Sequence, residues 1–311
     1  MKQSKLGKMD FSVSALSFGA SSLGGVFHDV DEAEAIGTVH AALEAGITYF
    51  DVAPAYGATR SETVLGKALK GVARSRYRLS TKVGKYTAPG KYGTDTLDYS
   101  RARIRASLDE SAARLGTDHF DIIYIHDIEY QERRHTQWAM TEGFSSVQEL
   151  IREGRVVGVG FGIYPVDLWQ RILTELPVDA VLIHNHYCLN DDRLLGLLPL
   201  AEKANVGIVN ASPYASGLLA DRGAADWHPA TPQDRAVFKK AADFCRSEGT
   251  SISKIAFQFA SQNPAIPTTM FSTANRQSLN RSLQWFEEPL DQGMLRKVQE
   301  ILQPIRNKDW F

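Results

Sequence analysis

The chain has 311 residues, with 35 lysines and arginines against 36 aspartates and glutamates, so its formal net charge is -1 at pH 7. This near balance argues against nucleic acid or an acidic membrane surface as the main partner. The 43% hydrophobic content suffices for a large core, and no stretch approaches the roughly 18 consecutive apolar residues that a membrane span needs.

The cysteines, the first residues and the even composition indicate the cellular compartment and the number of domains. The two cysteines, Cys188 and Cys245, form neither a metal-binding pattern nor a disulfide framework, which favours a reducing cytoplasm. The first residues lack a basic leader followed by an apolar core, so we expect no signal peptide. No break in composition and no low-complexity linker divides the chain, which favours a single domain over residues 1–311.

Hydrophobic periodicity predicts strands and helices in alternation along the chain. A hairpin over 6–11, with its turn at 7–10, is expected first. The predicted strands lie at 14–18, at the start of the stretch 47–57, and at 77–82, 120–125, 156–161, 180–184, 206–210 and 266–271. The predicted helices lie at 31–45, 61–69, 100–115, 144–152, 166–176, 194–204, 233–246, 253–261, 276–286 and 293–302.

This alternation predicts an α/β fold with a parallel sheet. Eight strand–helix units favour a closed (β/α)8 TIM barrel, here with an N-terminal hairpin and extra C-terminal helices. An open doubly wound sheet is the structural alternative. Two connections are long, 127–143 after the fourth strand and 212–232 after the seventh, and long loops in compact domains are usually functional.

Ionisable residues end three successive predicted strands. Asp51, Lys82 and His126 end the second, third and fourth strands, and Tyr56 follows Asp51 in a turn marked by proline and glycine. The carboxyl ends of parallel strands meet at one rim of a barrel. We therefore expect these four side chains, called the tetrad below, to lie together.

The chemistry of the tetrad suits proton transfer to or from an alcohol or carbonyl oxygen. A phenol has an ordinary pKa of ~10, and a nearby lysine ammonium is expected to lower that value. A carboxylate would keep the lysine charged and positioned, and a histidine would orient the substrate oxygen. No residue type here performs hydride chemistry alone, so a bound nicotinamide is implied.

Two patterns that would indicate other sites are incomplete. Residues 158–162 read Gly-Val-Gly-Phe-Gly, but Ile163 stands where a Gly-x-Gly-x-x-Gly fingerprint needs its last glycine. His184 and His186 are two positions apart, so in a strand both would point to one face. Together with His126 they resemble the ligand set of a metal site. Explanations without a metal are favoured, because no carboxylate or cysteine is suitably spaced.

Short motifs surround the tetrad, and they carry a resemblance. They are Asp-Val-Ala-Pro-Ala-Tyr-Gly at 51–57, Ser61-Glu62, Leu65-Gly66, Thr81-Lys82 and Tyr124-Ile125-His126. This set resembles the signature of the aldo-keto reductase family over nearly the whole chain. Residues 126–129, 211–213, 217–219 and 226–229 are similar to motifs of the family's L-galactose dehydrogenase and aldose 1-dehydrogenase branch.

The resemblance implies roles for the tetrad and for a cofactor site. Tyr56 would transfer the proton, Lys82 and Asp51 would tune it, and His126 would orient the substrate. The pyrophosphate would lie against the loop after the seventh strand, at Ser212, Pro213, Tyr214, Ala215, Ser216, Gly217 and Leu218. The nicotinamide amide would face Gly162 and His184. The adenosine end would be held by residues 272–280, among them Ser272, Thr273, Arg276 and Asn280.

The chain departs from the family pattern at several of these positions. Ala211 stands where many members place an aromatic residue against the nicotinamide. His184 replaces a common glutamine, and Gly162-Ile163 replaces a common Ser-Asn pair. Members that prefer the phosphorylated cofactor usually carry a lysine near Met270 and an arginine near Arg276. Only the arginine is present here, which favours NAD and leaves NADP open.

The resemblance implies oxidation of an aldose at C1 to a lactone, with a small-molecule sugar as partner. An NADPH-dependent aldehyde or ketone reductase and a pyridoxal dehydrogenase are alternatives with the same tetrad. A non-catalytic nucleotide-binding subunit or sensor is an alternative of another class. A monomer or a small homo-oligomer is expected. Further candidates for the rim of the site are Trp227, His228, Tyr86, Tyr92 and Trp138.

Overall fold

The computed structural model describes residues 1–26, 29–87 and 95–310 of the chain. Its strands are β1 (Gln3–Lys5), β2 (Ser12–Ser14), β3 (Leu16–Gly19), β4 (Tyr49–Asp51), β5 (Arg78–Val83), β6 (Lys85–Thr87), β7 (Asp95–Leu97), β8 (Phe120–His126), β9 (Val156–Ile163), β10 (Ala180–His184), β11 (Gly207–Ala211) and β12 (Thr268–Phe271). Its helices are α1 (Glu32–Glu44), α2 (Arg60–Leu69), α3 (Arg101–Leu115), α4 (Thr136–Trp138), α5 (Phe144–Arg152), α6 (Val166–Glu175), α7 (Leu198–Ala204), α8 (Pro232–Ser247), α9 (Ile252–Ser261), α10 (Arg276–Glu287) and α11 (Gln292–Leu302).

Eight of these strands close into a parallel barrel in the order β3-β4-β5-β8-β9-β10-β11-β12. The barrel closes where β12 pairs with β3, with Phe271 opposite Phe18. Each predicted strand of the alternation is present within two residues of its expected bounds. The TIM-barrel prediction is confirmed, and the open doubly wound alternative is wrong.

The N-terminal hairpin exists, but its strands lie outside the predicted range. β1 and β2 pair antiparallel, with Gln3 opposite Ser14, so residues 6–11 form the connection. Its apolar side chains Leu6, Met9 and Phe11 are buried in a cluster with residues from the barrel interior, such as Tyr124. The apolar residues that suggested a strand pair therefore close one end of the barrel.

Other differences have local causes. The predicted helix over 194–204 begins only at Leu198, after a 3-10 turn over Arg193–Leu197. Pro199 explains the delay, because its ring would clash with the carbonyl one turn earlier in a regular helix. The long connection 127–143 contains α4 and a short π-helix over Ala139–Gly143 that runs into α5.

The hairpin β6–β7 was not predicted. It pairs Lys85 with Leu97 and lies directly after β5, so it extends from the rim that carries Lys82. Tyr92, proposed for the rim, lies outside the described residues. Within the described ranges, none of the helices combines the length and apolar character needed to cross a membrane.

Candidate active site

The ends of three neighbouring strands bring the tetrad to one cavity of about 740 Å³. Asp51 ends β4, Lys82 is the last residue but one of β5, and His126 ends β8. All four tetrad side chains line the cavity, as predicted from the order of the strands. This volume is typical of a small-molecule site.

Tyr56 is positioned by a tight turn between β4 and α2. The backbone N–H of Tyr56 donates to the Ala53 carbonyl at 3.1 Å. Gly57 follows with a left-handed φ of +60°, and a Cβ there would stand 2.3 Å from the carbonyl oxygen of Gly24. Only glycine allows this conformation and this close approach, so the turn holds Tyr56 over the end of the barrel.

Lys82 and Asp51 form a buried ion pair below Tyr56. The ammonium also donates to the Val52 carbonyl at 3.0 Å, and its nitrogen lies 4.9 Å from the centre of the Tyr56 ring. The second oxygen of Asp51 accepts a hydrogen bond from Ser80 at 2.6 Å. Burial raises the pKa of Asp51, and the Lys82 ammonium opposes this shift.

The pKa of Tyr56 shifts in the direction opposite to the expectation. Burial raises it well above its ordinary value, and the carboxylates of Asp51 and Asp127 raise it further, while Lys85 lowers it. The nearby Lys82 ammonium is paired with Asp51, and the net shift of the Tyr56 pKa is upward. Tyr56 is therefore a neutral phenol at neutral pH.

His126 is a neutral imidazole at the other side of the tetrad. Its ring meets the Tyr56 ring edge-on, with centroids 5.9 Å apart. Burial lowers the pKa of His126 to about 3, so it carries no charge near neutral pH. Its Nδ1 is buried and has no hydrogen-bond partner among the described residues, and a substrate oxygen would satisfy a ring nitrogen facing the cavity.

The expected cofactor residues divide into two groups. Those that line the cavity are Gly162, His184, Ser212, Pro213, Tyr214, Ser216, Gly217 and Ser272. The others lie outside its lining: Ala215 and Leu218 are buried in an apolar cluster below the loop, while Thr273, Arg276 and Asn280 lie at or near the start of α10.

The loop after β11 has the small side chains that a dinucleotide requires. Ser212, Ala215 and Ser216 adopt left-handed backbone conformations, and Ser216 is tied to Asn185 by a 2.9 Å hydrogen bond. On the facing wall, Ser272 accepts hydrogen bonds from the backbone of Ser22 and from the Ser21 hydroxyl. Serine hydroxyls and small side chains fit the phosphates and ribose of a dinucleotide.

Of the residues proposed for the rim of the site, one lines the cavity and three pack elsewhere. Trp227 lines the cavity and remains 55% exposed. His228 is buried in the loop, where its Nδ1 accepts from the Ala230 backbone at 3.0 Å. Tyr86 is buried and accepts from the Gly84 backbone, and Trp138 packs edge-on against Tyr99. The last three are therefore packing residues.

The histidine pair does not share one face. Asn185, between His184 and His186, has a φ of +64°, which ends the alternation of the strand. His186 is buried and bonded to the Tyr164 carbonyl and to Asp191. Among the described residues, no group of three or more potential ligands is arranged to hold a metal ion.

Several cavity residues were not predicted. Lys85, Asp127 and Tyr130 line the same wall as the tetrad. Asp127 follows His126 directly, and Lys85 follows Lys82 by three residues. Proximity to the strand ends was thus a usable signal for these two.

The sequence and fold match proteins of known class. The model of the "Aldo/keto reductase family" matches residues 15–303. The chain is 37% identical to an L-galactose dehydrogenase from Arabidopsis thaliana, over 98% of this chain and 95% of that protein. It is 30% identical to a pyridoxal 4-dehydrogenase from Microbacterium luteolum, over 92% and 93%.

A solved structure of a member of this family has the same fold. The holo form of the aldo-keto reductase AKR11C1 from Bacillus halodurans superposes with a TM-score of 0.78 and 25% identity, over 100% of this chain and 98% of that one. The matched model spans most of the chain and places the predicted signature residues inside it. The chain therefore belongs to the aldo/keto reductase family of oxidoreductases, whose members bind a nicotinamide cofactor.

Proposed function

We propose that the protein oxidises an aldose at C1 and releases the lactone. The observation that carries this proposal is the convergence of the tetrad on one cavity. The similarity to a protein named L-galactose dehydrogenase supports a sugar as the substrate. The substrate is then a small molecule whose reacting group is the C1 hydroxyl of the cyclic sugar.

In this proposal each tetrad residue has a distinct role. A bound oxidised nicotinamide would supply the acceptor for the hydride that leaves C1. Tyr56 takes the proton of the C1 hydroxyl as the C1–O bond becomes a carbonyl. His126 donates a hydrogen bond to that oxygen as a neutral imidazole, and the Lys82–Asp51 pair holds the floor of the site beneath Tyr56.

We propose that the chain's own residues hold the cofactor along two walls. Ser212, Ser216 and Gly217 would lie against the pyrophosphate, and Ser272 would lie near the adenosine end. A Cβ at Gly217 would meet the Cα of Ala224 at 3.1 Å, so glycine keeps this turn close to the cavity. His184 and Gly162 line the cavity and would lie at the nicotinamide end.

We propose NAD rather than NADP as the preferred cofactor. The Arg276 guanidinium, the one remaining signal for NADP, donates to Glu34 Oε2 from Nη2 at 2.8 Å and from Nε at 3.0 Å. The Arg276 backbone N–H donates to the other oxygen of Glu34. A carboxylate in this place repels the 2′-phosphate of NADP and already pairs with the arginine.

Initial rates of reduced-cofactor formation test the proposal. L-galactose, L-fucose, D-arabinose, D-glucose and pyridoxal would be offered with NAD and with NADP separately. We expect NAD-dependent oxidation of one aldose to exceed that of the others. Oxidation of pyridoxal alone would replace the sugar by the substrate that the second relative's name indicates. Consumption of NADPH with simple aldehydes, and silence with the sugars, would indicate a reductase.

We also propose a domain organisation, a compartment and an oligomeric state for the protein. Residues 1–311 would form one domain, since β3 and β12 close the barrel across most of the chain. The protein would act in the cytoplasm, where its free, buried thiols Cys188 and Cys245 would stay reduced. It would be a monomer or a small homo-oligomer, which size-exclusion chromatography with light scattering would measure.

A further inference from the structure

A second charged pair lines the cavity beside the tetrad. Lys85 Nζ lies 2.7 Å from Asp127 Oδ2, and the two side chains are only 11% and 9% exposed. Both residues belong to the cavity wall. The roles proposed for the tetrad leave this pair without a function in the chemical step.

The fold holds Asp127 rigidly. Asp127 has a left-handed φ of +49° directly after β8. Its backbone N–H donates to the Gly162 carbonyl at 3.1 Å, and its backbone carbonyl accepts from the Tyr99 hydroxyl at 3.2 Å. The carboxylate is thus fixed at the wall, with little freedom to turn toward solvent.

Burying such a pair is not an efficient way to stabilise a fold. Removing two charges from water costs several kcal/mol per ion, and apolar residues of similar volume are often as stabilising. Here the pair faces a cavity that also contains the reacting groups. A wall of this kind is suited to binding polar groups of a ligand.

The pair is adjacent to the group that orients the reacting oxygen. Asp127 Oδ1 lies 3.5 Å from His126 Nε2. Burial opposes ionisation of Asp127, yet the neighbouring groups, above all the Lys85 ammonium that donates to it, hold the pKa of the carboxyl below its ordinary value. A charged acceptor and a charged donor therefore lie next to the C1 position of the proposed substrate.

An aromatic ring completes this part of the wall. Lys85 Nζ lies 4.1 Å from the centre of the Tyr130 ring. Tyr130 also lines the cavity and is 40% exposed. An aromatic face beside hydrogen-bonding charges suits a ring with hydroxyls at its edge and C–H groups on its face.

We propose that Lys85 and Asp127 bind the hydroxyls on the ring carbons beyond C1, so that they select polyhydroxylated sugars over simple hemiacetals. The Asp127 carboxylate accepts hydrogen bonds from sugar hydroxyls, and the Lys85 ammonium donates to a hydroxyl oxygen. Tyr130 packs against the C–H face of the ring. This inference rests on the proposed aldose oxidation and names the residues that recognise the sugar.

The test compares an aldose with the same ring stripped of its other hydroxyls. Tetrahydropyran-2-ol keeps the reacting hemiacetal and lacks the remaining sugar hydroxyls. Its kcat/KM and that of the best aldose would be measured with NAD for wild type, Asp127→Asn and Lys85→Met. We expect the ratio of aldose to tetrahydropyran-2-ol to fall about 10- to 100-fold in both variants, because charged hydrogen bonds to the sugar are lost.

Asp179→Asn is the matched control. Asp179 pairs with Lys8 at 3.1 Å and precedes β10, at the barrel end opposite the cavity, so the same chemical change should leave the ratio at its wild-type value. Circular dichroism and quenching of tryptophan fluorescence by NAD would verify folding and cofactor binding. If Asp127→Asn does not fold, Lys85→Met alone carries the test.

The outcomes separate the two claims. An unchanged ratio in a folded, active variant overturns the role of the pair in sugar recognition, even if both rates fall. A wild type that oxidises none of the aldoses refutes the proposed function, and the inference falls with it. Equal kcat/KM values of the wild type for the aldose and for tetrahydropyran-2-ol would show that no residue of the cavity recognises the additional hydroxyls.

Discussion

At the scale of single residues, the protonation of Tyr56 decides how the reaction depends on pH. Burial and nearby carboxylates raise the pKa of Tyr56 well above its ordinary value. Oxidation requires the deprotonated form, because Tyr56 must accept the proton of the C1 hydroxyl. The small fraction of phenolate at neutral pH therefore limits the oxidation rate.

We predict that kcat/KM for oxidation rises about tenfold per pH unit between about pH 7 and about pH 9. The sign follows from the raised pKa, since each added pH unit multiplies the phenolate fraction. His126 contributes no inflection there, because its pKa of about 3 lies far below this range. Initial rates across this range measure the slope. A rate that is already level near neutral pH would contradict the raised pKa.

At the scale of elements, hydroxyl groups from three strands support the tetrad from below. The Tyr124 hydroxyl on β8 lies 2.9 Å from that of Tyr49 on β4. The Tyr49 hydroxyl lies 2.9 Å from Ser80 Oγ on β5, and Ser80 donates to Asp51. This chain of hydrogen bonds fixes the orientation of Asp51 toward Lys82.

Ser80→Ala should lower kcat about tenfold, because a buried carboxylate oxygen loses its donor at a cost of ~1–3 kcal/mol. KM for the sugar should change less, since Ser80 positions Asp51 and lies below the cavity. Steady-state kinetics would separate the two constants. Ser80→Thr keeps the hydroxyl and should recover most of the activity. Equal losses in both variants would mean that packing, and not the hydrogen bond, is responsible.

The helices α1 and α10 are tied by the Glu34–Arg276 pair, and this tie governs the proposed cofactor choice. Glu34→Gln should raise the NADP/NAD ratio of kcat/KM by about tenfold, since a like charge near the 2′-phosphate is removed. Glu32→Gln is the matched control on the same helix, because Glu32 pairs with Lys67 away from Arg276. An equal effect of both substitutions would assign the preference to general charge and not to Glu34.

At the scale of the whole molecule, one end of the barrel carries the candidate site and the other end contributes to stability. The tetrad occupies the end where the strands finish, and the N-terminal connection closes the other end with Leu6, which is fully buried. Leu6→Ala should lower the free energy of unfolding by ~2–5 kcal/mol and leave kcat/KM close to wild type. Urea denaturation measures the first quantity. Leu195→Ala, at a residue 38% exposed, should cost much less. A large loss of activity in folded Leu6→Ala would contradict this separation.

The barrel was predictable because its pattern is local. Each strand is a short apolar run, and parallel order then places Asp51, Lys82 and His126 at one rim. The hairpin β6–β7 was not predictable, because its pairing joins Lys85 to Leu97 across twelve residues. The pairing of Arg276 with Glu34 depends on helix packing, which no local pattern reveals. The raised pKa of Tyr56 also required the structure, because it depends on burial and on the nearby carboxylates of Asp51 and Asp127.

We propose Tyr56 as the residue that transfers the proton in NAD-dependent oxidation of an aldose. The most direct measurement is the initial rate of NADH formation from L-galactose by wild type and by Tyr56→Phe, with NAD binding checked in both. Loss of general acid–base catalysis should reduce turnover ~100-fold or more in the variant. Near-wild-type turnover by Tyr56→Phe would contradict the assignment of Tyr56.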